Sequence, residues 1–158
     1  MNLDLYSDRA KQAIQSAQSL ALARRHQQFA PEHLLKVLLE ERDGLARNLI
    51  TAAGGDAAKA ETATETALKK RAQVSGGSGQ LYLDGDTARV FATAEEASKT
   101  AGDAFVTTER LLAALATEGG VAAEVLKSCG VTARALDAAV VDLRKGKTAD
   151  SAGAEDAY

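Results

Sequence analysis

Two histidines and one cysteine are the residues of this sequence whose side chains most often do chemistry. His26 and His33 stand seven positions apart on different predicted elements, with no cysteine or third histidine near them to complete a tetrahedral metal site. We therefore predict no metal centre and place both histidines at the surface or at helix ends. Cys129 ends an apolar helical segment, where a small buried hydrophobic residue is expected more often than a reactive thiol.

A glycine-rich stretch and a pair of acids are the other chemical candidates. The stretch "SGGSG" at 75–79 lacks the Gly-Lys-Ser/Thr ending of a phosphate-binding loop and predicts a flexible connector instead. Asp103 and Glu109 flank Phe105 in "DAFVTTERLLAAL" at 103–115, where a helix begins and carboxylates interact well with free N–H groups and the helix dipole. These acids are predicted to stabilise the helix start, to contact a ligand, or to do both.

Helical periodicity predicts the elements that must position these residues. The first half contains four predicted helices: about 7–25 with Ser7 as N-cap, a short helix opened by Pro31, 44–53, and about 56–71 capped by Asp56. The second half contains four more: about 86–101, a short helix capped by Thr107, one that ends before Gly130, and a last one capped by Thr132. Residues 72–85 connect the two halves.

The two halves are copies of one unit. The segment "QFAPEHLLKVLLEE" at 28–41 matches 103–115 at an offset of about 76 residues with one-residue slips, so that Glu32 matches Glu109. One repeat has few large apolar residues, and its apolar stripes are best buried against its twin. The predicted fold is all-α: a single globular body of about eight helices from two tandem four-helix repeats with pseudo-twofold symmetry. The alternative is two independent four-helix units on a tether.

Comparison of the two repeats also indicates which phenylalanines lie in the core. Phe105 matches Phe29 and is therefore predicted to be a wedge in the core, while Asp103 takes the place of Gln27 or Gln28. Phe91 has no aromatic counterpart in the first half, which leaves it open between the core and a surface groove.

Composition excludes several classes of function. The 158 residues include 22 acidic and 19 basic side chains mixed along the chain, for a net charge of −3, so nucleic acid and anionic membrane surfaces are not expected partners. No apolar stretch approaches the roughly 20 residues that span a bilayer, and the first residues lack a signal-peptide pattern. We expect a cytoplasmic, monomeric fragment.

The domain boundaries follow from the same pattern. Residues 1–145 are predicted to form one domain, with repeat one at about 1–71, the connector at 72–85 and repeat two at about 86–145. Residues 146–158, "GKTADSAGAEDAY", are small and polar without periodicity and predict a flexible linker.

Three segments resemble the amino-terminal Clp repeat domain of the AAA+ Clp family, in its protein-disaggregating branch. They are "DLYSDRAKQAIQSAQSLALARRHQQFAPEHLLKVLLEE", "GDAFVTTERLLAALA" and "RKGKTADSAGAEDAY". The resemblance implies a non-enzymatic accessory domain without cofactor, which weakly binds exposed apolar segments of unfolded or aggregated clients. It also implies a longer parent protein whose ATPase modules use ATP and Mg, form a homohexamer and cooperate with the DnaK system.

The same resemblance implies the site residues. Positions matching Ser7, Asp103 and Glu109 handle substrate in the family, beside an apolar groove that would include the position of Phe91. Ser7 replaces the more usual threonine and keeps the hydroxyl. Arg110 stands where relatives are often apolar, although its aliphatic stem can still cover apolar surface.

Two other functions remain open at this point. The chain could be the adaptor-docking or phospho-residue-reading N domain of a Clp protease unfoldase, or a structural spacer that gates a pore entrance. Both alternatives predict little affinity for unfolded chains, which separates them from client binding.

Overall fold

The computed structural model describes residues 2–42, 44–75 and 79–158, and within these ranges the chain forms eight α-helices. Residues 76–78 of the predicted glycine-rich connector lie outside the described residues. The helices are α1 Asp8–Ala23, α2 Pro31–Glu40, α3 Leu45–Ala52, α4 Ala57–Lys69, α5 Gly85–Thr100, α6 Thr108–Glu118, α7 Val121–Ser128 and α8 Ala133–Arg144. Two strands, β1 Gln28–Phe29 and β2 Tyr82–Leu83, and two 3-10 helices, Leu3–Leu5 and Ala154–Ala157, complete the described structure. The prediction of an all-α fold built from two four-helix repeats is confirmed.

Three of the predicted helix caps form as the sequence indicates. The side chains of Ser7, Asp56 and Thr132 accept hydrogen bonds from the N–H groups of Ala10, Lys59 and Ala135, which satisfies donors that the first helical turn leaves free. Thr107 also occupies an N-cap position, but its side chain makes no capping bond. Its hydroxyl donates to Glu109 and accepts from Arg144 instead, which is the first sign of a polar cluster at this helix start.

The extended segments of the two repeats pair with each other. β1 pairs in parallel with β2 through Phe29 and Leu83, and Tyr6 forms a parallel bridge with Val106. An offset of 77 residues converts one pairing into the other, since it carries Tyr6 to Leu83 and Phe29 to Val106. Each repeat therefore completes the other, and one core contains residues from both. This reciprocity contradicts the alternative of two independent units.

An aromatic cluster fills the centre where the repeats meet. Its membership differs from the predicted placement of Phe91 and of Phe105. Phe91 is only 3% exposed, and its ring lies 6.0 Å from the rings of both Tyr6 and Phe29. Phe91 therefore belongs to the core and not to a surface groove. Phe105 is only half-buried, because Val106 holds the position in the second repeat that Phe29 holds in the first.

Both histidines are buried, so their predicted placement at the surface is wrong, whereas the predicted helix-end placement is confirmed: His33 lies in the first turn of α2 and His26 follows the end of α1. His26 Nδ1 and His33 Nε2 are 2.8 Å apart, and His33 Nδ1 accepts the N–H of Ala30 at 3.0 Å. Ala30 is the N-cap of α2 and has no side-chain acceptor, so His33 performs the capping from the first turn. Cys129 is buried as predicted.

The buried histidine pair should make the fold sensitive to mild acid. Burial, together with the neighbouring His26 and Arg71, lowers the pKa of His33 from 6.5 to about 4, and burial also lowers the pKa of His26. Between these pH values the unfolded chain binds more protons than the folded one, so stability is lost as pH falls below about 6.5. The His33 shift alone predicts a loss of about 2 kcal/mol between pH 7.5 and 5.

Urea denaturation across this pH range measures the loss. Glu65 stays ionised throughout this range, because Arg24 and Lys36 lower its pKa to about 2. The variant His33→Gln should remove most of the pH dependence. A wild-type midpoint that stays constant from pH 7.5 to 5 contradicts the assignment of a neutral buried pair.

Candidate functional site

A buried ion cluster joins three elements of the second repeat. Arg144, the last residue of α8, makes a bidentate pair with Asp103, with both N–O distances at 2.9 Å. Its Nε donates to Glu109 Oε1 at 2.8 Å. Asp103 follows α5 and Glu109 lies in the first turn of α6, so one guanidinium ties the end of α5, the start of α6 and the end of α8 together.

The cluster stays charged although it is shielded from solvent. Burial opposes the charge on Asp103, but hydrogen bonds from Arg144 and from the Ala149 N–H outweigh it and keep the pKa of Asp103 below its usual value. Burial likewise opposes the charge on Arg144, while Asp103 and Glu109 raise the pKa of its guanidinium. Buried charges are tolerated when they are paired and hydrogen-bonded in this way.

The carboxy-terminal tail, residues 146–158, packs onto this cluster, which corrects the prediction of a flexible linker. The Ala149 carbonyl accepts N–H bonds from Ala104 and Phe105 at 2.9 and 3.1 Å. Its own N–H donates to Asp103 Oδ1 at 2.9 Å. Small side chains permit this close backbone contact, and Ala149 is fully buried.

Glu155 fixes the far end of the tail. Its Oε2 accepts a hydrogen bond of 2.6 Å from the Ser7 hydroxyl and one of 3.0 Å from the Thr108 N–H. A carboxylate at this helix start is favourable because free N–H groups and the helix dipole meet there. The ring of Tyr158 stacks on the Arg144 guanidinium, whose Cζ lies 5.2 Å from the centre of the ring. A cation and an aromatic face attract each other at this distance.

A solvent-open apolar groove of about 670 Å³ runs beside the cluster, between α5 and α8. Val141 is its most prominent side chain and is 71% exposed. Arg110 contributes its stem to the wall while its Nε donates to Asp103 Oδ2 at 3.2 Å. The groove is lined by Ala92, Thr93, Glu96, Ala97, Thr100, Ala101, Arg110, Asp137, Val140 and Val141.

The first repeat shows why the groove is open. At the equivalent place Arg24 and Glu65 form a bidentate ion pair with both N–O distances at 2.6 Å, and Lys36 lies 3.4 Å from Glu65. The helix registers place Ala101 at the position of Arg24 and Val141 at the position of Glu65. The ion pair of one repeat is thus replaced by small apolar side chains in the other, which leaves an uncovered apolar crease.

The five residues expected from the sequence reach different places. Arg110 lines the groove, whereas Asp103 and Glu109 lie under its edge in the ion cluster. Ser7 is buried beneath the tail and Phe91 is in the core. None of these four buried side chains presents its polar or aromatic end to the groove.

Sequence reasoning missed three residues that organise the site. These are Val141 in the groove, Arg144 at the centre of the cluster and Glu155 in the tail. A residue-by-residue comparison of α4 with α8 could have revealed Val141, because a valine replaces the charged Glu65 there. The alignment of the two repeats also needs correction, because the offset of 77 residues aligns Asp103 with His26 and not with Gln27 or Gln28.

Neither metal nor membrane chemistry is indicated in the part of the chain that the structure describes. Within residues 2–42, 44–75 and 79–158 no three His, Cys, Asp or Glu side chains come together in a way that could hold a metal ion. In the same ranges no helix is long and apolar enough to cross a bilayer.

Comparison with known proteins places this architecture in a family. The model of the Clp repeat (R) N-terminal domain matches residues 5–129, and the chain belongs to that family. Chaperone protein ClpB of Mesorhizobium japonicum is 54% identical over 159 aligned residues, which cover all of this chain and 18% of that protein. ClpB of Agrobacterium fabrum is also 54% identical over the same share of each chain. The chain therefore spans about a fifth of the length of these relatives.

Solved structures show the same fold at low sequence identity. The N-terminal domain of Hsp104 from Candida albicans superposes with a TM-score of 0.85 at 19% identity, covering 94% of this chain and 97% of that one. The N-domain of ClpV from Vibrio cholerae superposes with a TM-score of 0.73 at 19% identity, covering 94% and 90%. The chain thus has the fold of the N-terminal domains of Hsp104 and ClpV.

Removing Asp103 tests the ion cluster. Asp103→Ala leaves Arg144 buried without its bidentate partner, and breaking a buried pair in this way costs about 3–5 kcal/mol. Urea denaturation at neutral pH measures the loss. The matched control is Arg9→Ala, which removes the exposed ion pair between Arg9 and Asp156 and should cost less than about 1 kcal/mol. Equal losses for the two variants would show that the cluster does not stabilise the fold.

Proposed function

We propose that this chain is the client-binding domain of an ATP-dependent, protein-disaggregating chaperone, and that the groove between α5 and α8 receives exposed apolar segments of unfolded or aggregated proteins. The observation that carries the proposal is the exposed Val141 beside an apolar crease. The charged residues of the equivalent crease in the first repeat have no counterpart there. An uncovered apolar concavity on a folded domain favours contact with another polypeptide.

The chemistry of the groove suits weak and reversible binding. Burying one large apolar side chain gains roughly 1.5–3 kcal/mol, and ordering a flexible client consumes part of that gain. Two or three such contacts give micromolar or weaker dissociation constants. Weak binding favours release of the client to the next step, and several tethered copies of the domain would raise occupancy through effective concentration.

Ser7, Asp103 and Glu109 act as positioning residues in this proposal. Asp103 and Glu109 hold Arg144 and thereby the end of α8, the helix that carries Val141. Asp103 also holds Arg110 in the wall of the groove. Ser7 keeps Glu155 and the tail against α6. Loss of any of them would alter client binding through the shape of the groove and not through a lost direct contact.

The remaining parts of the activity belong to the longer protein that this family implies. ATP and Mg would be used by ATPase modules outside this chain, in a cytoplasmic homohexamer that works with the DnaK system. This domain would supply the first contact with the client and no catalysis of its own.

A charge in the groove tests the proposal. Val141→Asp should weaken binding of a permanently unfolded protein, such as reduced and carboxymethylated α-lactalbumin, by about tenfold, because one buried apolar contact is replaced by a charge that must be desolvated. Fluorescence anisotropy of the labelled client measures the change. Since Val141 is exposed, the melting temperature should stay within about 2 °C of the wild type.

The matched control is Leu22→Asp, which places the same charge on an exposed apolar residue of α1 outside the groove. It should bind the client as the wild type does. Equal binding by the wild type and Val141→Asp would exclude the groove as the client site. A wild-type chain that binds no unfolded client at all would favour the spacer, and one that binds only a folded adaptor would favour the docking module.

A further inference from the structure

The tail is attached to the rest of the domain mainly by polar contacts. Its buried hydrophobic side chains are those of Ala149 and Ala154, which are small. Along the chain, the last side chains of the shared core and of the residues packed against it are Val140 and Leu143. Stabilisation by apolar burial grows with the area buried, so the tail gains little of the free energy that holds the helices together. The helices can therefore stay packed when the tail leaves.

Two residues at the end of α8 turn the tail back onto the domain. Lys145 and Gly146 both have left-handed backbones, with φ angles of 49° and 81°. Lys145 is exposed, and the position where Gly146 would carry a Cβ lies in open space. Glycine adopts either hand of the backbone at little cost. This turn thus allows the tail to swing away while α8 keeps its conformation.

One carboxylate holds the far end of the tail. Glu155 Oε2 accepts the bonds from the Ser7 hydroxyl and the Thr108 N–H. Its Oε1 is buried without a hydrogen-bond partner among the residues that the structure describes, and an unpaired buried oxygen opposes docking. The neighbouring ion pair of Asp156 with Arg9 is exposed and adds little. Few strong bonds therefore hold the docked tail, which is the condition for a minor released state.

Asp103 connects the tail to the wall of the groove between α5 and α8. Its Oδ1 accepts the Ala149 N–H at 2.9 Å, and its Oδ2 accepts the Arg110 Nε–H at 3.2 Å. Arg110 lines the groove. Arg144, which pairs with both oxygens of Asp103, ends the helix that carries Val141. Release of the tail removes one of the bonds that fix the Asp103 carboxylate and so loosens Arg110 in the groove wall.

We propose that the tail is a releasable strap: in a minor population of the folded chain residues 146–158 are detached while α1–α8 stay in place, and detachment loosens the groove wall through Asp103. A client that fits the firm groove then favours the docked tail, by the reciprocity of linked equilibria. That consequence rests on the proposed client-binding function. The release itself does not, because it is measured in the chain without a client, so the two ideas fail separately.

Hydrogen exchange of adjacent amides separates release of the tail from unfolding of the domain. The N–H groups of Asp8 and Phe105 donate to carbonyls of the tail at 2.8 and 3.1 Å. Their neighbours Ser7 and Val106 donate to carbonyls of the interlocked segments at 2.9 and 2.8 Å. Relative to unprotected rates, the two tail-bonded amides should exchange at least about tenfold faster than their neighbours, and at least about tenfold slower than an unstructured peptide.

Two results in the unmodified chain would overturn the proposal. Protection that agrees within about threefold in both adjacent pairs would mean that the tail leaves only when the domain unfolds. Complete lack of protection at the tail-bonded amides would mean that the tail does not dock. A released population of a few per cent is compatible with a tail as ordered as the helices on the fast timescale of order parameters, roughly picoseconds to nanoseconds.

Glu155→Ala should raise the released population. The two tail-bonded amides should then exchange at least about threefold faster than in the wild type, with their neighbours unchanged. The melting temperature should fall by no more than about 5 °C. The matched control is Asp156→Ala, which removes the exposed ion pair and should leave all four amides within about twofold of the wild type. Unchanged tail-bonded amides in Glu155→Ala, or a fall of more than about 10 °C, would overturn the proposal.

The Arg110 Nε–H reports the effect on the groove. In Glu155→Ala this proton should exchange with water at least about threefold faster than in the wild type, because Asp103 has lost the N–H bond that steadies it. In Asp156→Ala its exchange should match the wild type. An unchanged Arg110 rate in a Glu155→Ala chain whose tail is released would overturn the coupling through Asp103.

Discussion

The buried pairing of Arg144 with Asp103 and Glu109 is the constraint on which the second repeat depends. A guanidinium shielded from water is stable only with its partners in place, so the end of α5, the start of α6 and the end of α8 must meet at one point. The same three side chains form the surface on which the tail lies, and Asp103 accepts hydrogen bonds from both Arg110 and the Ala149 N–H. The groove, the tail and the helix ends are thus joined by one set of charges.

The duplication explains how the domain separates stability from recognition. Both repeats keep the leucines of their second helices and the glutamate of its first turn, and they interlock through Phe29 with Leu83 and Tyr6 with Val106. They differ at residues on the surface, outside the shared core. The ion pair between Arg24 and Glu65 in the first repeat is replaced by Ala101 and Val141 in the second. The second repeat thereby presents an open apolar groove where the first repeat has an ion pair.

The sequence predicted the helices well because the helical period and the capping residues are local signals. Ser7, Asp56 and Thr132 cap the helices that follow them, and the repeated glutamates were matched correctly. The misplaced residues depend on contacts between distant parts of the chain. Periodicity places Phe91 on one face of α5 but cannot tell that Tyr6 and Phe29 cover that face. The composition of 146–158 resembles that of a linker, and only the contact of Glu155 with Ser7, 148 positions earlier, orders it.

The tail is part of the folded domain, held by the buried cluster and by Ser7. Nuclear magnetic relaxation of the backbone amides from Ala149 to Ala157 tests it most directly in the unmodified chain. A docked tail should give order parameters of about 0.85, as in the helices, and values below about 0.6 along this segment would show that it is not docked.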